Sequence, residues 1–184
     1  ADIVINSITK FLAGHSDVTL GYVAARDLGL RTAIYDAAVT WGTTPSPFDC
    51  WLAERGLHTF DLRFEKAQAT AAALADALAG RDGIRQVIYP GRTDHPHHNR
   101  ARALFGGQFG NMLSFEIEGG RDEVNSFVMN AGGIPFAPTL GDVGCTLSHP
   151  ASSSHRALTT EGRAALGISE GYFRLSVGIE PPEL

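Results

Sequence analysis

From residue 84 onward the chain alternates strand-like and helix-like segments with short connections, and this pattern most constrains its fold. Residues 112–117 put Leu113, Phe115 and Ile117 on one face, at the period of two that a pleated strand imposes. Residues 84–89 read as a strand stopped by Pro90-Gly91, 98–104 as a short helix, 122–130 as a helix and 134–137 as a short strand. Thr159 is placed to cap a helix ending near Gly167, and 172–179 reads as the last strand. Strands interleaved with helices in this way predict an α/β architecture with its own sheet.

The first third reads differently. Ile3-Val4-Ile5 is a continuous β-branched run, the pattern of a strand buried on both faces, and residues 18–25 read as a second buried strand. Asp27 is a candidate cap for a helix over 28–39, and Ser46-Pro47 is an N-cap and N1 pair opening a helix through Phe48, Trp51, Leu52 and Leu57. Gly56 is expected to kink or interrupt that helix. The helical pattern resumes through Leu62, Ala69, Ala73, Leu74 and Leu78, with Gly80 as the C′ residue. A domain boundary is expected near residues 57–63, dividing the chain into 1–60 and 61–184. Residues 180–184 read as a strand exit cut short. The chain has no initiator Met and opens almost at once on a strand of buried character, whereas termini are normally exposed. It reads as the later part of something longer.

Composition excludes more than it assigns. Of 184 residues, 43% are hydrophobic and 19% charged, as in ordinary soluble globular proteins, and a net charge of -5 argues against nucleic-acid or anionic-membrane partners. No apolar stretch approaches membrane-spanning length. Two cysteines, Cys50 and Cys145, and no signal-peptide pattern point to a reducing, cytoplasmic setting.

Chemistry-bearing residues gather in three places. Ser7, Thr9 and Lys10 follow the first strand; lysine forms Schiff bases with carbonyl cofactors, and two hydroxyls on one side of an extended segment can donate to a phosphate. Arg174 alternates with apolar residues in the last strand and can offer a two-pronged donor to a carboxylate, although the segment taken alone reads as an edge-strand arginine facing water. The polar loop 137–142 and the segment 148–156 carry Thr139, His149 and His155, and structural roles are expected for both histidines. His95, His97 and His98 surround Pro96 without a matching ligand pair, so no metal site is assigned. Cys145 reads as a small packing residue, not a nucleophile.

Four motifs in fixed order carry a resemblance. They are Ser7-x-Thr9-Lys10 with Gly14-His15-Ser16-Asp17; Pro47-Phe48-Asp49-x-Trp51-Leu52 with Arg55-Gly56-Leu57; Leu140-Gly141-Asp142 with His149-Pro150-Ala151-Ser152; and Arg174-Leu175-Ser176-Val177-Gly178-Ile179-Glu180. Over nearly all 184 residues the chain resembles the second half of the Cys/Met-metabolism enzymes that use pyridoxal 5'-phosphate: cystathionine γ-synthase, cystathionine lyases, methionine γ-lyase and homoserine sulfhydrylases. The resemblance implies fold type I, with the end of the large cofactor domain in 1–60 and the small C-terminal α/β domain in 61–184. It implies that Lys10 holds the cofactor and acts as general base, that Ser7 and Thr9 bind its phosphate, and that Arg174, with the main chain near Thr139, binds an amino-acid carboxylate. The reaction implied is elimination or replacement at the β or γ carbon of a sulfur-containing or O-acylated amino acid. Thr139 stands where many relatives have Ser, and Gly144 and Cys145 leave elimination and replacement both open. The family's pyridinium aspartate, ring-stacking aromatic and glycine-rich phosphate turn precede the lysine strand and are absent from this chain. The partners implied are an N-terminal half, in the same or a separate chain, and a homo-tetramer or hetero-assembly. The competing expectation is a scaffold or regulatory subunit of the same fold.

Overall fold

A computed structural model of the chain describes residues 1–181, so the end of the 180–184 strand exit lies outside the described residues. The chain divides into two compact units, Ala1–Asp61 and Leu62–Leu184.

In the first unit, β1 (Ile3–Ser7) and β2 (Gly21–Ala25) form an antiparallel two-stranded ribbon, with Ile3 opposite Ala25 and Ser7 opposite Gly21. Both strands were expected to be buried, and neither is: Ile3, Val4 and Ile5 are 43%, 45% and 76% exposed. No other strand joins the ribbon, so a run suited to cover on both faces stands open on the described chain. The second strand starts at Gly21 and not at residue 18, because both backbone groups of Leu20 bond to Thr9. α1 (Leu28–Trp41) begins at the expected cap, where Asp27 Oδ1 accepts from Leu30 N–H at 2.9 Å, and ends on Gly42 at φ +69°. α2 (Pro47–Leu57) begins as expected at Ser46-Pro47, with Ser46 Oγ accepting from Asp49 N–H at 3.1 Å.

α3 (Phe60–Ala79) leads into the second unit, followed by β3 (Ile84–Ile88), α4 (His98–Phe105), β4 (Met112–Ile117), α5 (Arg121–Asn130), β5 (Thr146–Ser148), α6 (Thr160–Ala165) and β6 (Tyr172–Ser176). The strands form one antiparallel sheet in the order β3-β4-β6-β5. The alternation expected for 112–117 is present: Leu113, Phe115 and Ile117 are buried while their neighbours are half-buried. They join Phe173, Leu175 and Leu147 from β6 and β5, Ala71 and Ala75 from α3, and Val124 from α5 in the core. Phe115, Phe127 and Phe173 meet there, the Phe127 and Phe173 ring centres 4.9 Å apart.

Three local expectations fail. Residues 134–137 form no strand: a single parallel bridge joins Phe136 to Leu147, with Ala137 N–H bonded to Leu147 O and Leu147 N–H to Pro135 O. β6 ends at Ser176 and not at residue 179, although Val177 N–H still bonds to Asn111 O and Ile179 N–H to Val143 O, the partners that its register with β4 and β5 assigns. Gly80 does not take the left-handed cap conformation; the left-handed glycine before β3 is Gly83, at φ +81°. Among the described residues, no helix is long and apolar enough to cross a membrane.

Candidate active site

Lys10 stands on a tight turn that follows β1. Beyond Ser7 the chain folds on itself: Lys10 N–H donates to Ser7 O at 3.5 Å, Ala13 N–H to Ile8 O at 2.9 Å and Gly14 N–H to Lys10 O at 2.9 Å. The extended arrangement expected for Ser7 and Thr9 is therefore replaced by one in which Ser7 ends the strand and Thr9 lies in the turn. Thr9 Oγ1 donates to Leu20 O at 3.1 Å and accepts from Leu20 N–H at 2.9 Å, which ties the turn to the residue preceding β2. The Ser7 hydroxyl has no hydrogen-bond partner, and the Lys10 amine no ion pair, among the described residues.

α2 braces this turn. A Cβ on Gly56 would lie 2.4 Å from Ala13 O and 2.8 Å from Ala13 Cα, so the helix approaches the turn this closely only with glycine there. Gly56 does not interrupt α2, which continues to Leu57. A cleft of about 680 Å³ opens beside β1, lined by the hydroxyl residues Ser7, Thr9, Thr19, Thr43, Thr44 and Ser46. Its one carboxylate, Asp49, already accepts from Ser46 Oγ at 2.8 Å. The uncommitted Ser7 hydroxyl on this cleft suits an anionic group such as a phosphate, and Lys10, on the adjoining turn, does not line the cleft. Thr9 fits less directly, because its proton goes to Leu20 O.

Arg174 lies on β6, an inner strand between β4 and β5, so the edge-strand reading does not hold. Its cross-strand neighbours are Ser114 and Ser148, two short side chains that leave room around the guanidinium. No carboxylate among the described residues pairs with it. Thr139 sits in the loop before β5. Thr139 O accepts from Thr146 Oγ1 at 3.3 Å, and Gly141 N–H donates to Ser176 Oγ at 3.0 Å. Ser176 is two residues from Arg174 and shares its face, so the Thr139 loop is moored to the face that carries the arginine. Two elements thus present a free amine and a free guanidinium, one in each unit.

A family model for the Cys/Met metabolism PLP-dependent enzymes matches residues 1–183. The chain belongs to that family. It is 42% identical over 179 residues to cystathionine beta-lyase of Bacillus subtilis, covering 97% of this chain and 45% of that protein. It is 38% identical over 180 residues to O-succinylhomoserine sulfhydrylase of Pseudomonas aeruginosa, covering 98% of this chain and 44% of the relative. Among solved structures, cystathionine gamma synthase from Xanthomonas oryzae pv. oryzae, in complex with aminoacrylate and cysteine, matches with TM-score 0.89 and 46% identity over all of this chain and 47% of its own. Yeast cystathionine gamma-lyase matches with TM-score 0.93 and 36% identity over 100% of this chain and 47% of its own. The chain spans about half the length of the curated relatives it matches. The α/β fold is that of these PLP-dependent enzymes.

Within the family frame, the remaining chemistry-bearing residues hold structure together. His149 is 2% exposed, with Nε2 bonded to Glu170 O at 2.7 Å, Nδ1 to Ser152 Oγ at 2.9 Å, and its ring against Phe173. His155 bonds to Ser154 Oγ. His98 bonds to Pro90 O and stacks on Phe109, while nearby Asp94 is held by Arg92 at 2.8 Å. Burial pushes the Cys145 thiol up to about 11, so it carries no thiolate near neutral pH. Sequence reasoning missed the bracing by Gly56 and the mooring by Ser176. The period of two in β6 was a signal for the second, since it puts 174 and 176 on one face.

Proposed function

We propose that this chain supplies the lysine side and the carboxylate-binding side of a PLP-dependent enzyme that eliminates or replaces a substituent at the β or γ carbon of a sulfur-containing or O-acylated amino acid. The observation that carries this is the braced turn, which carries Lys10, its amine without an ion pair among the described residues, three residues after Ser7, whose hydroxyl has no hydrogen-bond partner there. The family and the relatives' names support it: they include cystathionine lyases, a cystathionine synthase and a homoserine sulfhydrylase.

In this reading Lys10 Nζ would hold pyridoxal phosphate, and Ser7 Oγ would donate to its phosphate. Thr9 Oγ1 joins it by turning its proton away from Leu20 O. When bound, the cofactor supplies an electron sink for negative charge developing at the substrate's Cα. Arg174 grips the substrate carboxylate with two parallel N–H donors, and the main chain at Thr139 completes that grip. With the cofactor bound, Lys10 Nζ would take the Cα proton and return it at a neighbouring carbon or at the departing sulfur or oxygen. The rest of the cofactor pocket comes from an N-terminal half, and the assembly is a cytoplasmic homo-tetramer or hetero-assembly.

Borohydride reduction of the enzyme joined to its N-terminal half, followed by peptide mapping, tests the assignment. The pyridoxyl label is expected on Lys10, and Lys10→Ala is expected to lower turnover by roughly 10³-fold, the scale of a lost general base. A label elsewhere, or unchanged turnover, would contradict it.

A further inference from the structure

The loop from Thr139 to Cys145 has no regular secondary structure, yet the proposed carboxylate grip needs it fixed. Its outgoing half is held by Thr146 Oγ1 on Thr139 O and by Gly141 N–H on Ser176 Oγ. Its returning half is closed from the exit of β6. Glu180 uses both carboxylate oxygens on one residue, accepting from Cys145 N–H at 2.5 Å and from the Cys145 thiol at 3.2 Å. Gly178 N–H donates to the same sulfur at 3.2 Å, and Ile179 N–H to Val143 O at 2.8 Å. The approach is close enough to exclude a side chain at 178, where a Cβ would lie 2.2 Å from Val143 O.

The choice of glutamate is informative. No Lys or Arg among the described residues pairs with Glu180. Its charge is satisfied only by neutral donors on the loop, and hydrogen bonds to an ionised acceptor are shorter and stronger than neutral ones. Burial keeps the Cys145 thiol protonated near neutral pH, so it remains a donor.

We propose that Glu180, acting through Cys145, is a positioning residue for substrate-carboxylate binding: it clamps the returning half of the Thr139 loop so that the loop's main chain stays set beside Arg174's face. The proposal rests on the functional reading above. Glu180 touches no substrate and takes no part in proton transfer, so its loss changes carboxylate recognition and leaves the lysine chemistry intact.

The test is steady-state kinetics with L-cystathionine on the enzyme joined to its N-terminal half. Glu180→Ala is expected to raise KM about tenfold, with kcat within about twofold and the pyridoxyl label on Lys10 unchanged. Glu180→Gln keeps one carbonyl oxygen for Cys145 N–H and should show a smaller rise; it decides the matter should the alanine variant not fold. Cys145→Ser retains a donor and should keep nearly the parent KM. A lower Tm with unchanged KM would make Glu180 merely structural and overturn the proposal. So would a fall in kcat at constant KM. Absence of any label on Lys10 in the parent enzyme would instead sink the functional reading, and this inference with it.

Discussion

The two strand pairs that carry the candidate residues obey opposite rules. β4 and β6 alternate, and each sends its apolar residues to one face, where Phe115, Leu113 and Phe173 are almost wholly buried by α3 and α5. β1 and β2 do not alternate: Ile3, Val4 and Ile5 follow one another, and all three remain exposed among the described residues. The sheet behind Arg174 is therefore completed by its own unit. The ribbon behind Lys10 is apolar enough to be a core strand, yet among the described residues it stays exposed. Lys10 itself is held by something more local, the close approach of Gly56 to Ala13.

Substitutions sharpen this contrast. In the chain by itself, Phe173→Ala should cost about 3–5 kcal/mol in denaturant unfolding, whereas Val23→Ala on the ribbon should cost less than about 0.5 kcal/mol. Equal costs would break the comparison. Gly56→Ala should cost about 1–3 kcal/mol, because backbone atoms must move to admit the methyl group. A neutral result would mean that α2 does not brace the lysine turn. Removing the first unit's helix caps, by Asp27→Ala or Ser46→Ala, should cost about 1 kcal/mol each in the same assay.

The smallest effect is a pH dependence in the second unit. Glu170 is held below its ordinary value of 4.5, first by the Arg121 hydrogen bond and then by the charges of Arg121 and Arg163. A carboxyl lowered in the folded state adds stability that is fully present above about pH 4.5 and is lost as pH falls through the folded value. The Tm of the parent should therefore fall more steeply below that pH than that of Glu170→Gln. Parallel profiles would show that these arginines do not stabilise the charge.

What the sequence disclosed was local. Asp27, Ser46 and Thr159 announce their helices because a cap acts within three residues, and Leu113, Phe115 and Ile117 announce their face through spacing alone. β5 was not legible: it is three residues long and owes its existence to pairing with Arg174's strand. The parallel bridge at Phe136 depends equally on a distant partner. Lys10 and Arg174 were legible as residue types in a recognisable order of motifs. The inner-strand position of Arg174, and the reason for the glycine at 56, required the chain to be folded back on itself.

Amide hydrogen exchange tests the central contrast most directly, measured on the chain alone and on the chain joined to its N-terminal half. In the chain alone, β4 and β6 amides should be protected while β1 and β2 amides exchange orders of magnitude faster; joining the proposed N-terminal half should bring the ribbon to the level of the sheet. Ribbon amides as slow as those of β4 in the isolated chain, or unchanged by the joined half, would contradict the account.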